Sequence, residues 1–220
     1  MIGTKLLPIL LLLSSSLSGT AASPFGSRDK IPEVLYRSDH LNPTEIEAEG
    51  GLNSRGSRWG RPDKTMTFLE HKQLPKGQGK YPVSPFISTS ADRNYLVNYL
   101  VSKSRRAPGI RYVYHINTKG IERNFFDANK KLSGKADPET LSRFANQKEF
   151  GTTKQIPWGN IEGWDTVFGD GSVYYISKVA WLSDMATRGK QVSPSLPKRP
   201  MFNDAYYVGP PANTLPYPPQ

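Results

Sequence analysis

Phe86-Ile87-Ser88-Thr89-Ser90 is the stretch on which the reading of this chain turns. Two apolar residues followed by three hydroxyl side chains read as a strand that ends in polar groups. Beyond it, Tyr95, Leu96, Tyr99 and Leu100 recur at helical spacing, so a helix is expected with Ser90 or Asp92 as its cap. Upstream, Glu33-Val34-Leu35-Tyr36-Arg37-Ser38 reads as an opening strand. Asn42-Pro43-Thr44 then starts a helix, with Thr44 as N-cap, Glu45 and Glu47 in the first turn and Gly50-Gly51 as the stop. Residues 53–64 are polar and basic and read as a loop, and Thr67 to His71 is ambiguous. Downstream, Ile110-Arg111-Tyr112-Val113-Tyr114-His115-Ile116 alternates and is the clearest strand. Residues 127–142 read as a loop with a helical turn after Pro138, and short strands are expected near Asp165–Phe168 and Val173–Ile176.

The composition bounds what this pattern can be. At 220 residues the chain has room for one ordinary domain of roughly 150 residues plus flanking segments. Hydrophobic residues are only 36%, but 11 Tyr, 9 Phe and 4 Trp can fill one core. The absence of cysteine excludes a disulfide framework, a thiolate metal site and a thiol nucleophile. The three histidines, His40, His71 and His115, argue against a His-rich metal cluster, so no metal is expected. The net charge of +10 favours polyanionic partners without choosing among them.

Both ends read as something other than the domain. Lys5, the apolar run Leu6 to Leu13 and the small residues up to Ala22 have the three regions of a secretory signal, so residues 1–22 are assigned to one. The run is too short for a bilayer, which takes roughly 20 apolar residues. A secreted, extracellular protein without stable membrane insertion is expected. From about Gly189 the composition shifts, with eight prolines in residues 190–220. Residues 189–220 are read as a Pro-rich tail, with Tyr206, Tyr207 and Tyr217 as docking points, or as a segment draped on the domain. That leaves residues 31–188 for the folded domain.

Three separated elements carry chemistry: Arg37 at the end of Leu35-Tyr36-Arg37-Ser38-Asp39, the run Ser88-Thr89-Ser90, and Gln147-Lys148-Glu149. On an extended strand residues i and i+2 share a face, so Gln147 and Glu149 are expected to project side by side. Each element has an ordinary reading: a surface ion pair, a helix cap, the wet face of a strand. In this order, however, they resemble the Arg, Ser-Thr-Ser, (Glu/Gln)-x-Glu pattern of mono-ADP-ribosyltransferase toxins. Within that group the segments look like the catalytic A subunits of the cholera toxin and heat-labile enterotoxin family. The flanks agree with it: Pro43, Glu45-Ile46, Gly50-Gly51-Leu52 and Arg55-Gly56, then Glu70-His71, Ile156-Pro157-Trp158 and Ile161-Glu162-Gly163-Trp164. The resemblance covers about residues 33–168.

The resemblance implies an α+β fold of two small, mainly antiparallel sheets around an NAD cleft. It implies NAD as co-substrate, with cleavage of the nicotinamide–ribose bond through an oxocarbenium-like transition state. Glu149 would stabilise the developing positive charge. Arg37 would bind the pyrophosphate, where a guanidinium fork suits phosphate oxygens. Ser88 would hydrogen-bond Glu149, while Thr89 and Ser90 support the strand and the pocket. Ser38, Asp39 and Gly51 would line the nucleotide side. His71 shapes the acceptor side or is a satisfied structural histidine. Phe144 stacks on an acceptor base or belongs to the core of its loop.

Gln147 departs from the arginine-modifying enterotoxins, which have Glu there. The Gln-x-Glu pattern is similar to exoenzymes that modify Asn, Gln or Cys side chains and to pierisin-like enzymes that modify guanine in DNA. A non-arginine acceptor is therefore favoured, host DNA or a host protein, reached inside a host cell by a secreted toxin or effector. Without cysteine there is no disulfide-linked B subunit. The competing readings are an NAD glycohydrolase on the same scaffold, a non-catalytic secreted binding protein, and a basic nucleic-acid-binding module.

Overall fold

The computed structural model describes residues 30–74, 84–104 and 109–187. The expected signal segment and Pro-rich tail lie outside them. In chain order the elements are β1 (Val34–Asp39), α1 (Pro43–Ala48), β2 (Gly51–Leu52), α2 (Arg55–Arg58), α3 (Phe68–Gln73), β3 (Ile87–Ser90), α4 (Arg93–Ser104) and β4 (Arg111–Asn117). They continue with β5 (Phe126–Asp127), α5 (Ala128–Leu132), α6 (Pro138–Gln147), β6 (Glu149–Thr152), β7 (Ile156–Pro157), β8 (Ile161–Val167), β9 (Val173–Ser177) and α7 (Lys178–Thr187). The class is α+β with antiparallel sheets, as expected.

The two sheets are unequal: seven strands in the order β5-β6-β3-β1-β4-β8-β9, and the pair β2-β7. The large one is two leaves held at a narrow join. β1 pairs with β4 along its whole length, from Val34 opposite Asn117 to Asp39 opposite Tyr112. Its other edge meets β3 through one residue pair, Tyr36 opposite Ser90. The strands splay from that point, and a groove opens between the leaves.

β4 explains why the alternating segment was legible. Val113 packs with Val97, Leu100, Val101 and Val167 under α4, while Tyr112, Tyr114 and Ile116 face the larger cluster of Leu35, Ile46, Ile87, Phe150 and Trp164. Both faces of the strand are covered. A third cluster, Phe68, Ala128, Leu132 and Phe144, sits beneath α3, α5 and α6.

The helices correct several expectations. The cap of α1 is Asn42, whose side chain accepts from Glu45 N while Glu45 reaches back to the Asn42 backbone. Thr44 is inside the helix, because Pro43 takes the first helical position, where its missing N–H costs nothing. Residues 53–64 are not all loop, since Ser54 caps the short α2. The ambiguous Thr67 segment is α3, started by a reciprocal box between Thr67 and Glu70. The expected loop 127–142 contains α5 and the first turns of α6, capped by Asp127 and Asp137. In α4 the buried positions are Val97, Leu100 and Val101, whereas Tyr99 is exposed. The α7 helix was not anticipated.

Candidate functional site

The splayed join is lined from five elements. β1 supplies Tyr36, Arg37 and Ser38, and β3 supplies Ser88, Thr89 and Ser90. α3 supplies Lys72, α4 supplies Tyr95 and Leu96, and the turn from α6 into β6 supplies Gln147 and Glu149. The cleft has a volume of about 150 Å³. The three sequence elements singled out at the start therefore share one cleft.

Arg37 spans the gap left by the missing ladder. Its Nη1 donates to the Ser88 carbonyl at 2.8 Å. Its Nε lies 3.6 Å from Asp39 Oδ2 and is buried without a hydrogen-bond partner. Burial pulls the Arg37 pKa down, with Asp39 opposing, and the guanidinium remains charged. Asp39 itself does not line the cleft. Its carboxylate accepts from the backbone N–H groups of His40 and Leu41 and from Arg58 at 3.2 and 3.3 Å. Burial works against its ionisation, but Arg37 and Arg58 outweigh that and hold its pKa below the ordinary range. Asp39 is thus the counter-ion behind Arg37 rather than a nucleotide contact.

Glu149 is the deepest carboxylate of the cleft, with its side chain 3% exposed. Its Oε1 is 2.5 Å from Lys72 Nζ, and its Oε2 is buried without a partner. The expected bond from Ser88 is not formed. Ser88 Oγ instead lies 3.1 Å from His71 Nε2, and Ser84 Oγ lies 2.7 Å from His71 Nδ1. With both ring nitrogens engaged by serines, His71 is a neutral strut between α3 and β3. Burial, then the nearby cations Lys72 and Arg37, push its pKa down to about 3.

Gln147 and Glu149 reach the cleft by a different route from the one expected. Gln147 is the last residue of α6, Lys148 is left-handed at φ 44°, and Glu149 is the first residue of β6. The turn, not a strand period, brings the two side chains to one cavity. Ser90 Oγ secures it by donating to the Gln147 carbonyl at 2.6 Å. Thr89 Oγ1 donates to the Phe150 carbonyl at 3.0 Å. Both hydroxyls hold β3 to its neighbours.

Two further expectations are corrected. Phe144 is 3% exposed and packs with Phe68, Ala128 and Leu132, so it is core rather than a platform for an acceptor. Gly51 lies in the β2-β7 pair, away from the cleft. A Cβ built on it would stand 2.1 Å from the Ile156 carbonyl oxygen, and its φ is 138°. The position needs glycine for a close backbone approach.

Lys72, Tyr36, Tyr95 and Leu96 were missed. Lys72 is one of 29 lysines and arginines in the chain, and its local signal is the Thr67-x-x-Glu70 box that starts the helix carrying it. Beside the cleft, Arg93 grips the buried Asp165 through Nε at 2.9 Å and Nη2 at 2.6 Å, and His115 Nε2 closes on the same carboxylate at 2.8 Å. This anchors the first turn of α4, which carries Tyr95 and Leu96. Among the described residues no group of His, Asp or Glu is arranged to hold a metal ion, and no helix is long and apolar enough to cross a membrane.

No family model and no curated protein matches the chain. Among solved structures it is similar to a heat-labile enterotoxin at 24% identity, covering 66% of this chain and 62% of that one with a TM-score of 0.46. It is similar to a guanine-specific ADP-ribosyltransferase at 19% identity over 67% of this chain and 76% of that one, TM-score 0.45. It is also similar to the Scabin toxin from Streptomyces scabies in complex with NADH, at 20% identity over 62% and 65% of the two chains, TM-score 0.40. The chain thus spans less than two thirds of the heat-labile enterotoxin chain it matches.

Proposed function

We propose that this chain is a mono-ADP-ribosyltransferase that uses NAD and modifies a non-arginine acceptor, guanine in DNA or an Asn or Gln side chain. The observation that carries the reading is the convergence of Arg37, Ser88 to Ser90, Gln147 and Glu149 on one cleft at the join of the two leaves. A second observation supports a ligand there: Arg37 Nε and Glu149 Oε2 are buried without partners, and buried polar atoms are normally satisfied.

NAD bound in the cleft supplies the ADP-ribosyl group: the C1′–N bond breaks with its electrons leaving on nicotinamide, and the acceptor bonds C1′ and loses a proton. Arg37 binds pyrophosphate oxygens with the donors not committed to Ser88. Glu149 accepts a ribose hydroxyl through Oε2 and presents its charge to the reacting carbon. Gln147, uncharged, donates to or accepts from the acceptor without pairing a guanidinium. Ser38 lines the nucleotide side. On this reading residues 1–22 direct secretion, residues 31–188 are the transferase domain, and the Pro-rich tail is an appendage to a toxin or effector.

The test incubates the full chain and Glu149→Ala with labelled NAD, DNA and a host-cell extract. Label on DNA or protein that disappears in the variant is the expected result and identifies the acceptor class. Nicotinamide release without macromolecular label makes water the acceptor. No NAD cleavage overturns the assignment.

A further inference from the structure

We infer that Lys72 is a positioning residue for Glu149, taking the place on that carboxylate that the sequence reading gave to Ser88. The inference rests on the proposed function for its kinetic consequence, but its geometry stands apart from it.

Ser88 makes no hydrogen bond to Glu149. Its Oγ faces His71, and its carbonyl is taken by Arg37. The Glu149 carboxylate therefore depends on the Lys72 ammonium at Oε1, while Oε2 is left unpartnered and buried. One oxygen is held and the other is offered to the cleft. Such a division fixes the carboxylate rotamer, because the ammonium adds a counter-charge to the hydrogen bond, which a serine hydroxyl cannot supply.

Lys72 is itself held in place. Its ammonium lies 5.0 Å from the Phe144 ring centroid and 5.6 Å from that of Phe68, and both rings are buried in one cluster. The side chain is 15% exposed, so the pair is not a loose surface contact. The helix that delivers it is fastened at two points, by the Thr67–Glu70 box at its start and by His71 bridging Ser84 and Ser88. Phe144, unavailable to an acceptor, thus has a use in the site: its face receives the cation that orients Glu149.

The test compares the full chain with Lys72→Met, which keeps length and loses charge, and with Lys72→Arg. Nicotinamide release is expected to show kcat lowered by roughly 10- to 100-fold in Lys72→Met with KM for NAD little changed, and partly restored in Lys72→Arg. A readout independent of activity is the carbon-13 resonance of the Glu149 carboxyl, assigned by its loss in Glu149→Ala. It is expected to shift or broaden in Lys72→Met, measured where circular dichroism shows the variant folded. An unchanged resonance overturns the inference, as does a kcat that stays level or rises. Wild-type protein that cleaves no NAD but whose Glu149 resonance moves in Lys72→Met refutes the proposed activity and leaves the positioning intact.

Discussion

Glu149 combines two demands that pull against each other. In the proposed reaction its burial makes the negative charge effective, because a charge shielded from water acts more strongly on a nearby developing cation. The same burial needs a counter-charge, which Lys72 supplies. Glu149→Gln keeps the shape and removes the charge. We expect it to lower ADP-ribose transfer by roughly 100- to 1,000-fold, with NAD still bound, as isothermal titration would show; full activity would refute the mechanism. His71 makes a different prediction. Its folded pKa of about 3 lies below the ordinary value of 6.5. Between those values the unfolded chain binds the proton and the folded chain does not. The stability from the neutral ring is therefore complete above about pH 6.5 and lost as pH falls toward 3. The slope is at most about 1.4 kcal/mol per pH unit. Urea unfolding at pH 7 and 5 should show this loss in the wild type and a smaller one in His71→Gln.

At the scale of elements, the cleft exists because two strands fail to pair. β1 and β3 touch at Tyr36 and Ser90, and the guanidinium of Arg37 replaces the backbone bonds missing beyond that point. The β2-β7 pair is the opposite case, a backbone approach so close that no side chain fits at Gly51. Gly51→Ala should lower stability by about 2 kcal/mol or more, as expected where a substituent meets backbone at a positive φ. Because Gly51 is outside the cleft, NAD affinity measured on the folded fraction should be unchanged; a selective loss of NAD binding would return Gly51 to the site. The elements missed from sequence were short and capped. The Thr67-x-x-Glu70 box and the Asp-Pro start at Asp137 are local signals that were present but lacked long apolar periodicity behind them. α5 is hidden, and α6 is legible only as a turn after Pro138, for the same reason, since the two bury little besides Ala128, Leu132 and Phe144.

At the scale of the whole molecule, buried carboxylates fasten helices to the leaf formed by β1, β4, β8 and β9. Asp39 holds Arg37 and Arg58 behind the cleft, and Asp165 joins α4 to β4 and β8 through Arg93 and His115. Burial raises the pKa of Asp165, but the hydrogen bonds from His115 and Arg93 outweigh it, so it too titrates below its ordinary value. The unfolded chain takes up these protons first as pH falls. The stability they contribute is complete above about pH 5 and declines below the ordinary carboxylate pKa near 3.9. Asp165→Asn should leave Arg93 unpaired, lower stability at pH 7 by about 3 kcal/mol, and flatten the acid limb of the unfolding profile. An unaltered acid limb would show that this ion cluster does not govern acid unfolding.

What the sequence determined by itself was local or chemical. The alternation of residues 110–116, the hydroxyl run after Ile87 and the helix after Asp92 follow from side-chain period and capping, which act within a few residues. The residue types grouped in the cleft were legible only through the resemblance of Arg37, Ser88 to Ser90 and Gln147-x-Glu149 to a known ordered pattern. Tertiary structure alone decided who partners whom. Ser88 faced His71 rather than Glu149, Phe144 turned inward, and Asp39 became a counter-ion. For Ser88 and Phe144 the choice was made by α3, through His71 and Phe68; for Asp39 it was made by Arg37 beside it and by Arg58 of α2. A buried donor takes the acceptor that packing brings within reach, and sequence spacing carries no record of that distance.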